Sequence, residues 1–418
     1  MSTIDVITFG CRLNTFESEV MRRHAQTAGL DNLVIVHTCA VTAEAERQAR
    51  QAIRRARRSR PDARIVVTGC AAQITPEAYA ALDGVDQLVG NDRKLKPETW
   101  RTLAGDMTTK THIGDVMAER KPDGYAIDGM EGRTRAFLSV QNGCDHRCTF
   151  CVIPYGRGNS RSVAVPDAVA QARRLVEAGH RELVLTGVDL TSYGRDLHDQ
   201  PTLGRLVAAI LAGVPELPRL RLSSLDPAAI DPDLLALLSS EPRLLPHVHL
   251  SIQAGHDLTL KRMKRRHLRA DVLALCERLR RERPDIVFGA DLIAGFPTED
   301  EAMFSQSMSI VDAADLTFLH VFPYSPRPGT PAGRMPQLPR QLIKERAQLL
   351  REKGELALET FLNGEVGKRR QMLVEREGRG HTQHFAPVRL DRTTPAGTLA
   401  EIKVVGRANG LLIGEIGA

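Results

Sequence analysis

Residues 144–151 read Cys144-Asp145-His146-Arg147-Cys148-Thr149-Phe150-Cys151, three cysteines spaced C-x3-C-x2-C just after the apolar run from Ala136 to Gln141. The count of three decides the reading. A cubane iron–sulfur cluster is ordinarily held by four thiolates, so a compact triple leaves one iron open to a small molecule. The same residues also admit a zinc site completed by His146. Structural zinc, however, usually recruits two C-x2-C-like pairs, and the chain has no second pair.

Downstream of the triple, strand-like and helix-like stretches alternate. Apolar runs at 136–141, 183–186, 220–225, 248–253, 286–292 and 318–322 are separated by helical patterns at 166–178, 203–211, 232–238, 270–283 and 299–313. Six such units predict a partial (β/α)6 barrel rather than the closed eightfold form, with the functional groups at the C-terminal strand ends. Thr186, Gly187, Ser223, Ser224 and Gln253 fall at those ends and are candidates to contact the small molecule on the open iron; helix capping and barrel-mouth polarity account for them equally well.

The first hundred residues repeat one pattern three times: an apolar strand (4–9, 33–37, 64–68), a turn carrying a cysteine (Cys11, Cys39, Cys70), then a helix. Strands alternating with helices imply a parallel sheet, whose strand ends all open on one edge, where ligands bind. Cysteines 28 and 31 residues apart are therefore expected to converge on a second three-thiol cluster. Gly10 and Gly69 allow tight turns, and the helix N-termini that follow favour thiolate. A lone cysteine in such a place would more often be core, and Cys276, within an amphipathic helix pattern, is read that way.

Between Cys39 and Cys70 a probable helix, 43–60, carries Arg47, Arg50, Arg54, Arg55, Arg57, Arg58 and Arg60 against Glu44 and Glu46. A charge run is usually a solvated face, but this imbalance suits phosphate contact better than internal neutralisation, with Arg54, Arg57 and Arg58 as candidates. Residues 104–132 contain Gly105, Gly114, Pro122, Gly124 and Gly129 and read as a linker with one short strand. A long helix is expected from Arg340 to Leu362, with Pro339 suited to its first turn. Short β runs with glycine turns follow, at 370–375, 381–390, 399–405 and 411–416, and suggest a small oligonucleotide-binding barrel. Lys368, Arg369, Arg370, Arg376 and Arg379 supply its charge, and His381, His384 and Phe385 are candidates for base stacking.

Composition agrees with a soluble multidomain protein. The chain has 418 residues, 42% of them hydrophobic, and 57 Lys+Arg against 51 Asp+Glu give a modest +6 that favours an anionic partner. No apolar run long enough for a membrane span and no signal-peptide pattern is present, so a cytoplasmic protein is expected, and seven cysteines in that compartment point to metal rather than disulfides.

Taken together, Thr8-Phe9-Gly10-Cys11-Arg12-Leu13-Asn14-Thr15-Phe16-Glu17, His37-Thr38-Cys39-Ala40-Val41-Thr42, the Cys144 triple with Val152-Ile153-Pro154-Tyr155-Gly156-Arg157-Gly158, Arg221-Leu222-Ser223-Ser224-Leu225-Asp226-Pro227, His249-Leu250-Ser251-Ile252-Gln253-Ala254-Gly255 and Gly295-Phe296-Pro297 resemble the radical S-adenosylmethionine methylthiotransferase family. A departure at Ser251–His256, where relatives more often carry a Pro-Leu-Gln-Ser-Gly-Ser run, bears on the contacts of Ala254 alone. The resemblance implies two [4Fe-4S] clusters, one on Cys144, Cys148 and Cys151 that cleaves S-adenosylmethionine, the other on Cys11, Cys39 and Cys70 that carries the transferred sulfur. It implies tRNA as partner, an electron donor such as flavodoxin or ferredoxin, a monomer, and division into an N-terminal domain (1–103), a linker (104–132), a radical core with its trailing helix (133–362) and an RNA-binding TRAM barrel (363–418).

The family acts on a modified adenosine beside the anticodon or on an aspartate of a ribosomal protein. His320-Val321-Phe322-Pro323-Tyr324-Ser325-Pro326-Arg327 and Gly380-His381-Thr382-Gln383 look most like the branch acting on threonylcarbamoyladenosine, with the isopentenyladenosine branch as alternative. On that reading Arg327 is a candidate partner for the threonylcarbamoyl carboxylate, a structural salt bridge being the competing role. A non-catalytic RNA-binding iron–sulfur protein remains the reading from a different class.

Overall fold

A computed structural model describes residues 4–120 and 127–417; Pro122 and Gly124 of the expected linker lie outside the described residues. The N-terminal sheet is wholly parallel, in the order β1 (Ile4–Thr8), β2 (Leu33–Thr38), β3 (Arg64–Gly69), β4 (Gln87–Val89) and β5 (Thr111–His112). Every residue of β2 is buried, as expected for a central strand covered on both faces. Of the two outer strands, β5 is the one short strand expected in the linker segment, while β4, three residues long, was not separately visible in the sequence.

The central domain contributes β6 (Arg135–Ser139), a small hairpin of β7 (Gln141–Asn142) and β8 (Arg161–Ser162), then β9 (Glu182–Thr186), β10 (Arg219–Leu222), β11 (His247–Gln253), β12 (Val287–Ala294) and β13 (Leu316–Pro323). Parallel sheets β6-β9-β10 and β11-β12-β13 are joined by the bridges Leu220 to Leu244 and Leu225 to Leu250, which completes the expected six-stranded partial barrel. Helix α1 (Arg12–Thr27) packs its Phe16, Val20 and Met21 into the same apolar cluster as Phe137 and Leu138 of β6. The first two domains thus share a core, and the cysteine at the head of α1 is carried against the barrel. Cys276 is buried in that core, as expected.

The N-terminal half of the barrel interior is charged. Glu182 sits between Arg219 (Nε to Oε2, 2.8 Å) and Arg221 (Nε to Oε1, 3.0 Å), all three fully enclosed. Burial alone would favour the neutral acid; Arg221, Arg219 and Arg135 outweigh it and hold Glu182 down at about 2.

A 26-residue helix, Arg340–Glu365, then leads to a closed barrel, β14 (Arg369–Arg376), β15 (Arg379–Thr382), β16 (Pro387–Leu390), β17 (Leu399–Ala408) and β18 (Leu411–Ile416), in the order 14-15-16-18-17. The single run expected at 381–390 is split by a turn in which Phe385 takes a φ of 67°. That turn corrects the stacking expectation. Phe385 stacks on His381 at 4.7 Å and lies under the guanidinium groups of Arg135 (5.2 Å) and Arg221 (5.0 Å), while His384, buried, pairs with Asp285 at 3.0 Å. These aromatics plug the bottom of the central barrel instead of facing RNA.

Candidate active site between two cysteine triples

Cys11, Cys39 and Cys70 follow directly on the C-terminal ends of β1, β2 and β3, so parallel pairing brings together residues far apart in the chain. Two glycines make the approach feasible. At Gly10 (φ 94°) a Cβ would stand 2.8 Å from Cys39 Cβ, and at Gly69 (φ 103°) it would stand 2.6 Å from the Thr38 nitrogen. Burial, then the neighbouring Cys70, pushes the Cys39 thiol up to about 12. Asn14 (3.7 Å from Cys11 Sγ) and Asn91 (3.7 Å from Cys70 Sγ) border this triple.

The second triple faces the first. The loop after Cys151 turns so closely on Cys70 that a Cβ on Gly156 would meet Cys70 Cβ at 3.2 Å, and Cys151 lies within the electrostatic reach of Cys70. Burial drives Cys144 and Cys151 up to about 12 as well. Arg265 points Nη1 at Cys148 Sγ, 3.8 Å away. His146 Nε2 lies 2.9 Å from Asp189 Oδ2.

All seven cysteines are free thiols, and the surroundings fit a cluster with an open iron. Next to the Cys144 triple, Thr186 Oγ1 and Ser223 Oγ are buried with no hydrogen-bond partner among the described residues, polar groups left over for a ligand. Gly187 opens a loop pinned by Gln141 Oε1, which accepts from the Val188 and Asp189 nitrogens (2.9 and 2.8 Å). Ser224 is exposed at the mouth, and Gln253, with a φ of 71°, lines a pocket of about 220 Å³. That pocket is walled by Val41 and Thr42 from the loop after Cys39, by Phe150 beside Cys151, and by Asp291, Phe322 and Tyr324. It therefore adjoins chain segments that carry a cysteine of each triple and is aromatic with a few polar groups, as a nucleobase requires.

One buried network locks the triples together. Glu17 of α1 accepts from both terminal nitrogens of Arg157, at the end of the short helix Ile153–Arg157 after Cys151 (2.8 and 2.8 Å), and from Lys94 Nζ (2.7 Å); Lys94 also reaches His37 Nε2 (3.0 Å). Burial and then Lys94 lower His37 well below its usual value, so it stays neutral and bridges Lys94 to Ser18. Arg157 and Glu17 stand in motifs the sequence exposes, but their pairing, 140 residues apart, does not follow from either motif.

The remaining expected site residues divide. Arg327 is buried and its Nη2 pairs with Glu46 of α2 (Ala43–Ser59), the salt bridge that competes with a substrate role, while its Nε is buried with no hydrogen-bond partner among the described residues. Arg57 is committed to Asp86 and to the carbonyls of Pro61, Ala63 and Gly84; Arg47 and Arg50 pair with Glu44 and Glu46. Arg54 and Arg58 are exposed. In the last domain Lys368 and Arg370 both bind buried Glu365 (3.0 and 2.9 Å), while Arg369 is exposed. Sequence reasoning passed over a further cluster inside the barrel: His249 Nε2 and His320 Nδ1 both contact Asp291 Oδ1, at 3.0 and 3.2 Å. The signal was the alternation of strand residues, which turns these side chains inward from adjacent strands.

Comparison with known proteins agrees with this geometry. The Radical SAM superfamily model matches residues 138–310, and the model described as Uncharacterized protein family UPF0004 matches residues 3–90. The chain is 46% identical over 408 residues, 98% of its length and 96% of the relative's, to the threonylcarbamoyladenosine tRNA methylthiotransferase MtaB of Rickettsia prowazekii (strain Madrid E). It is 32% identical over 99% of its length and 98% of the relative's to the threonylcarbamoyladenosine tRNA methylthiotransferase MtaB of Chlamydia pneumoniae, and 32% identical over 99% of its length and 97% of the relative's to the tRNA-2-methylthio-N(6)-dimethylallyladenosine synthase of Erythrobacter litoralis (strain HTCC2594). Among solved structures, the radical S-adenosylmethionine methyltransferase TsrM of Kitasatospora setae superposes with a TM-score of 0.55 at 18% identity, covering 75% of this chain and 66% of that one, a likeness of fold alone. No helix among the described residues is long and apolar enough to cross a membrane. Full-length identity to the relatives so named and two facing thiol triples on the matched domains place the chain in the radical S-adenosylmethionine methylthiotransferase family.

Proposed function

We propose that this protein adds a methylthio group to C2 of threonylcarbamoyladenosine next to the anticodon of tRNA. The observation that carries the reading is the chamber walled by residues adjoining Cys39 and Cys151, in a chain 46% identical over nearly its whole length to a relative named for that reaction. When bound, the two [4Fe-4S] clusters and S-adenosylmethionine supply the radical and the sulfur, which a purine C2–H demands because no side-chain base is strong enough to take that proton.

The protein's own residues hold and orient. Cys144, Cys148 and Cys151 would bind the radical-generating cluster, and Cys11, Cys39 and Cys70 the sulfur-carrying one. The unpartnered hydroxyls of Thr186 and Ser223, with Gly187, Ser224 and Gln253 around the mouth, suit the polar groups of S-adenosylmethionine. Phe150, Phe322 and Tyr324 offer flat faces to the purine and keep water from the reacting carbon.

Of the candidates Arg54, Arg57, Arg58, Lys368, Arg369 and Arg370, RNA contact belongs to Arg54, Arg58 and Arg369, exposed and without an ion pair among the described residues, with the C-terminal barrel as a TRAM-type RNA module. Removing each is expected to flatten the dependence of log affinity on log salt by roughly 0.7 to 0.9; an unchanged slope after all three are replaced by glutamine would return them to plain surface. Arg57, Lys368 and Arg370, held by acidic partners, should contribute less. A cytoplasmic monomer fed by flavodoxin or ferredoxin, with domains at 1–103, 133–362 and 363–418, completes the proposal.

Mass spectrometry of tRNA nucleosides tests the substrate. Cells lacking the gene are expected to lose the methylthio form of threonylcarbamoyladenosine; loss only of the methylthio isopentenyl form would move the assignment to that branch. Tight tRNA binding without formation of 5′-deoxyadenosine from S-adenosylmethionine would favour a binding protein.

A further inference from the structure

The loop that carries Cys148 and Cys151 rests on the segment at the end of the short helix Asp257–Arg262. Thr149, between the two cysteines, donates its amide to the Met263 carbonyl (3.1 Å) and its hydroxyl to the Arg262 carbonyl (2.8 Å). Met263 is fully buried, and Phe150 packs against the apolar cluster that contains it. The chain then passes through Lys264 with a φ of 61°, a left-handed conformation that a non-glycine residue holds only where its surroundings impose it. That turn delivers Arg265 to the cysteine loop, with Nη1 3.8 Å from Cys148 Sγ.

The guanidinium is enclosed, its side chain only 9% exposed, and fixed from behind. Nη2 donates to the Ser251 carbonyl (2.8 Å) and pairs with Asp226 Oδ2 at 3.3 Å, just past the end of β10. Asp226 is shared with Arg266 (3.2 Å) and also accepts from the Ala228 amide (3.0 Å), so it offsets the charge of Arg265 only in part. Arg265 Nε is buried with no hydrogen-bond partner among the described residues, which makes this a costly place for the group on its own account. The neighbours of the other triple are neutral at the same range: the side chains of Asn14 and Asn91 lie 3.7 Å from Cys11 Sγ and Cys70 Sγ. Asp189 Oδ2 approaches Cys144 Sγ at 4.0 Å, but its oxygens are engaged by Thr191 and Ser192 (3.0 and 2.7 Å) and by His146.

We propose that Arg265, by directing a charged N–H at the Cys148 sulfur, raises the reduction potential of the cluster on Cys144, Cys148 and Cys151 and so eases its reduction by the flavodoxin- or ferredoxin-type donor. One electron passes from the donor to the oxidised cluster, no proton moves, and the cluster gains one negative charge. A fixed cation in a dry site favours that added charge, because the potentials of such clusters follow net charge, solvent exposure and the hydrogen bonds to their sulfurs. The inference rests on the proposed cluster assignment and deepens it. Arg265 acts through Cys148 and is a positioning residue.

The test is a redox titration of reconstituted full-length enzyme with dithionite and mediator dyes, followed by electron paramagnetic resonance. The signal that changes on addition of S-adenosylmethionine identifies the cluster with the open iron. Arg265→Gln is expected to lower the reduced fraction of that cluster at a fixed potential about tenfold, a midpoint about 59 mV more negative for a one-electron couple, with iron measured on the same sample. Arg265→Lys, which keeps the charge, should stay within about threefold of wild type. Formation of 5′-deoxyadenosine by Arg265→Gln should fall with flavodoxin and recover with titanium(III) citrate, a stronger reductant, at an unchanged KM for S-adenosylmethionine. An unmoved midpoint in Arg265→Gln overturns the proposal, and a raised KM beside it would make Arg265 a contact of S-adenosylmethionine instead. Equal shifts in both variants overturn it too, since packing rather than charge would then set the midpoint. Where Arg265→Gln fails to hold iron, Asp226→Asn decides: freeing the guanidinium from its counter-charge should raise the reduced fraction about threefold, and an unmoved or lowered fraction overturns the proposal. If no signal responds to S-adenosylmethionine, the cluster assignment falls and the inference with it; a responsive signal whose midpoint ignores Arg265 leaves the assignment standing and ends the inference.

Discussion

Alanine in place of Cys144, Cys148 and Cys151 together is expected to abolish reductive cleavage of S-adenosylmethionine while leaving about half the iron of the anaerobically reconstituted protein, about four of eight atoms on the reading of two cubanes. The reciprocal triple, Cys11, Cys39 and Cys70 to alanine, should also keep about half the iron, yet continue to form 5′-deoxyadenosine without methylthiolated product. The asymmetry follows from the C-x3-C-x2-C spacing of the Cys144 set, which leaves one iron open to S-adenosylmethionine. Iron analysis with electron paramagnetic resonance, paired with chromatography of nucleosides, reads both variants. A wild-type protein holding a single cluster, or zinc alone, would end the two-cluster assignment.

Glu17→Gln should show the second large effect. The substitution leaves Arg157 and Lys94 buried without their shared counter-charge, and breaking one partner of a buried ionic network costs about 3–5 kcal/mol. Burial opposes ionisation of Glu17, but Arg157 and then Lys94 win and hold its carboxyl well below the usual range. A depressed carboxylate contributes stability that is fully present above its unfolded value, about 4.3, and is lost as pH falls through the folded one. Wild type should therefore weaken progressively below about pH 4 in urea titrations, and Glu17→Gln should be weaker at pH 7 but lose part of that acid dependence. Function should respond too. Arg157 follows Cys151 and Glu17 follows Cys11, so a loosened clamp is expected to let S-adenosylmethionine cleavage continue while methylthio transfer drops; equal loss of both would show that the clamp serves stability alone.

Much of this was legible in the chain. Period-two and period-3.6 patterning gave the six-stranded partial barrel and the parallel N-terminal sheet, because a strand or helix must turn its apolar residues toward a core whatever surrounds it. The Cys144 triple was legible from its local spacing, and the Cys11, Cys39 and Cys70 triple because cysteines at equivalent turns of a parallel sheet open on one edge. Strands as short as Thr111–His112 were not distinct, since two residues carry no period.

The use of individual charges was decided by tertiary structure. Seven arginines on α2 look alike in sequence, yet Arg57 is tied down by Asp86 and three carbonyls while Arg54 and Arg58 stay in solvent. Arg327 looked available, and its Nη2 is paired with Glu46. Phe385 looked like an RNA-stacking residue and plugs the central barrel between Arg135 and Arg221. A hydrophobic pattern is set by neighbours within a few residues, so the sequence by itself fixes elements and their faces. Whether a charge is free depends on acceptors brought in from far along the chain, as Arg157 and Glu17 are across 140 residues, and only the packed domains supply those.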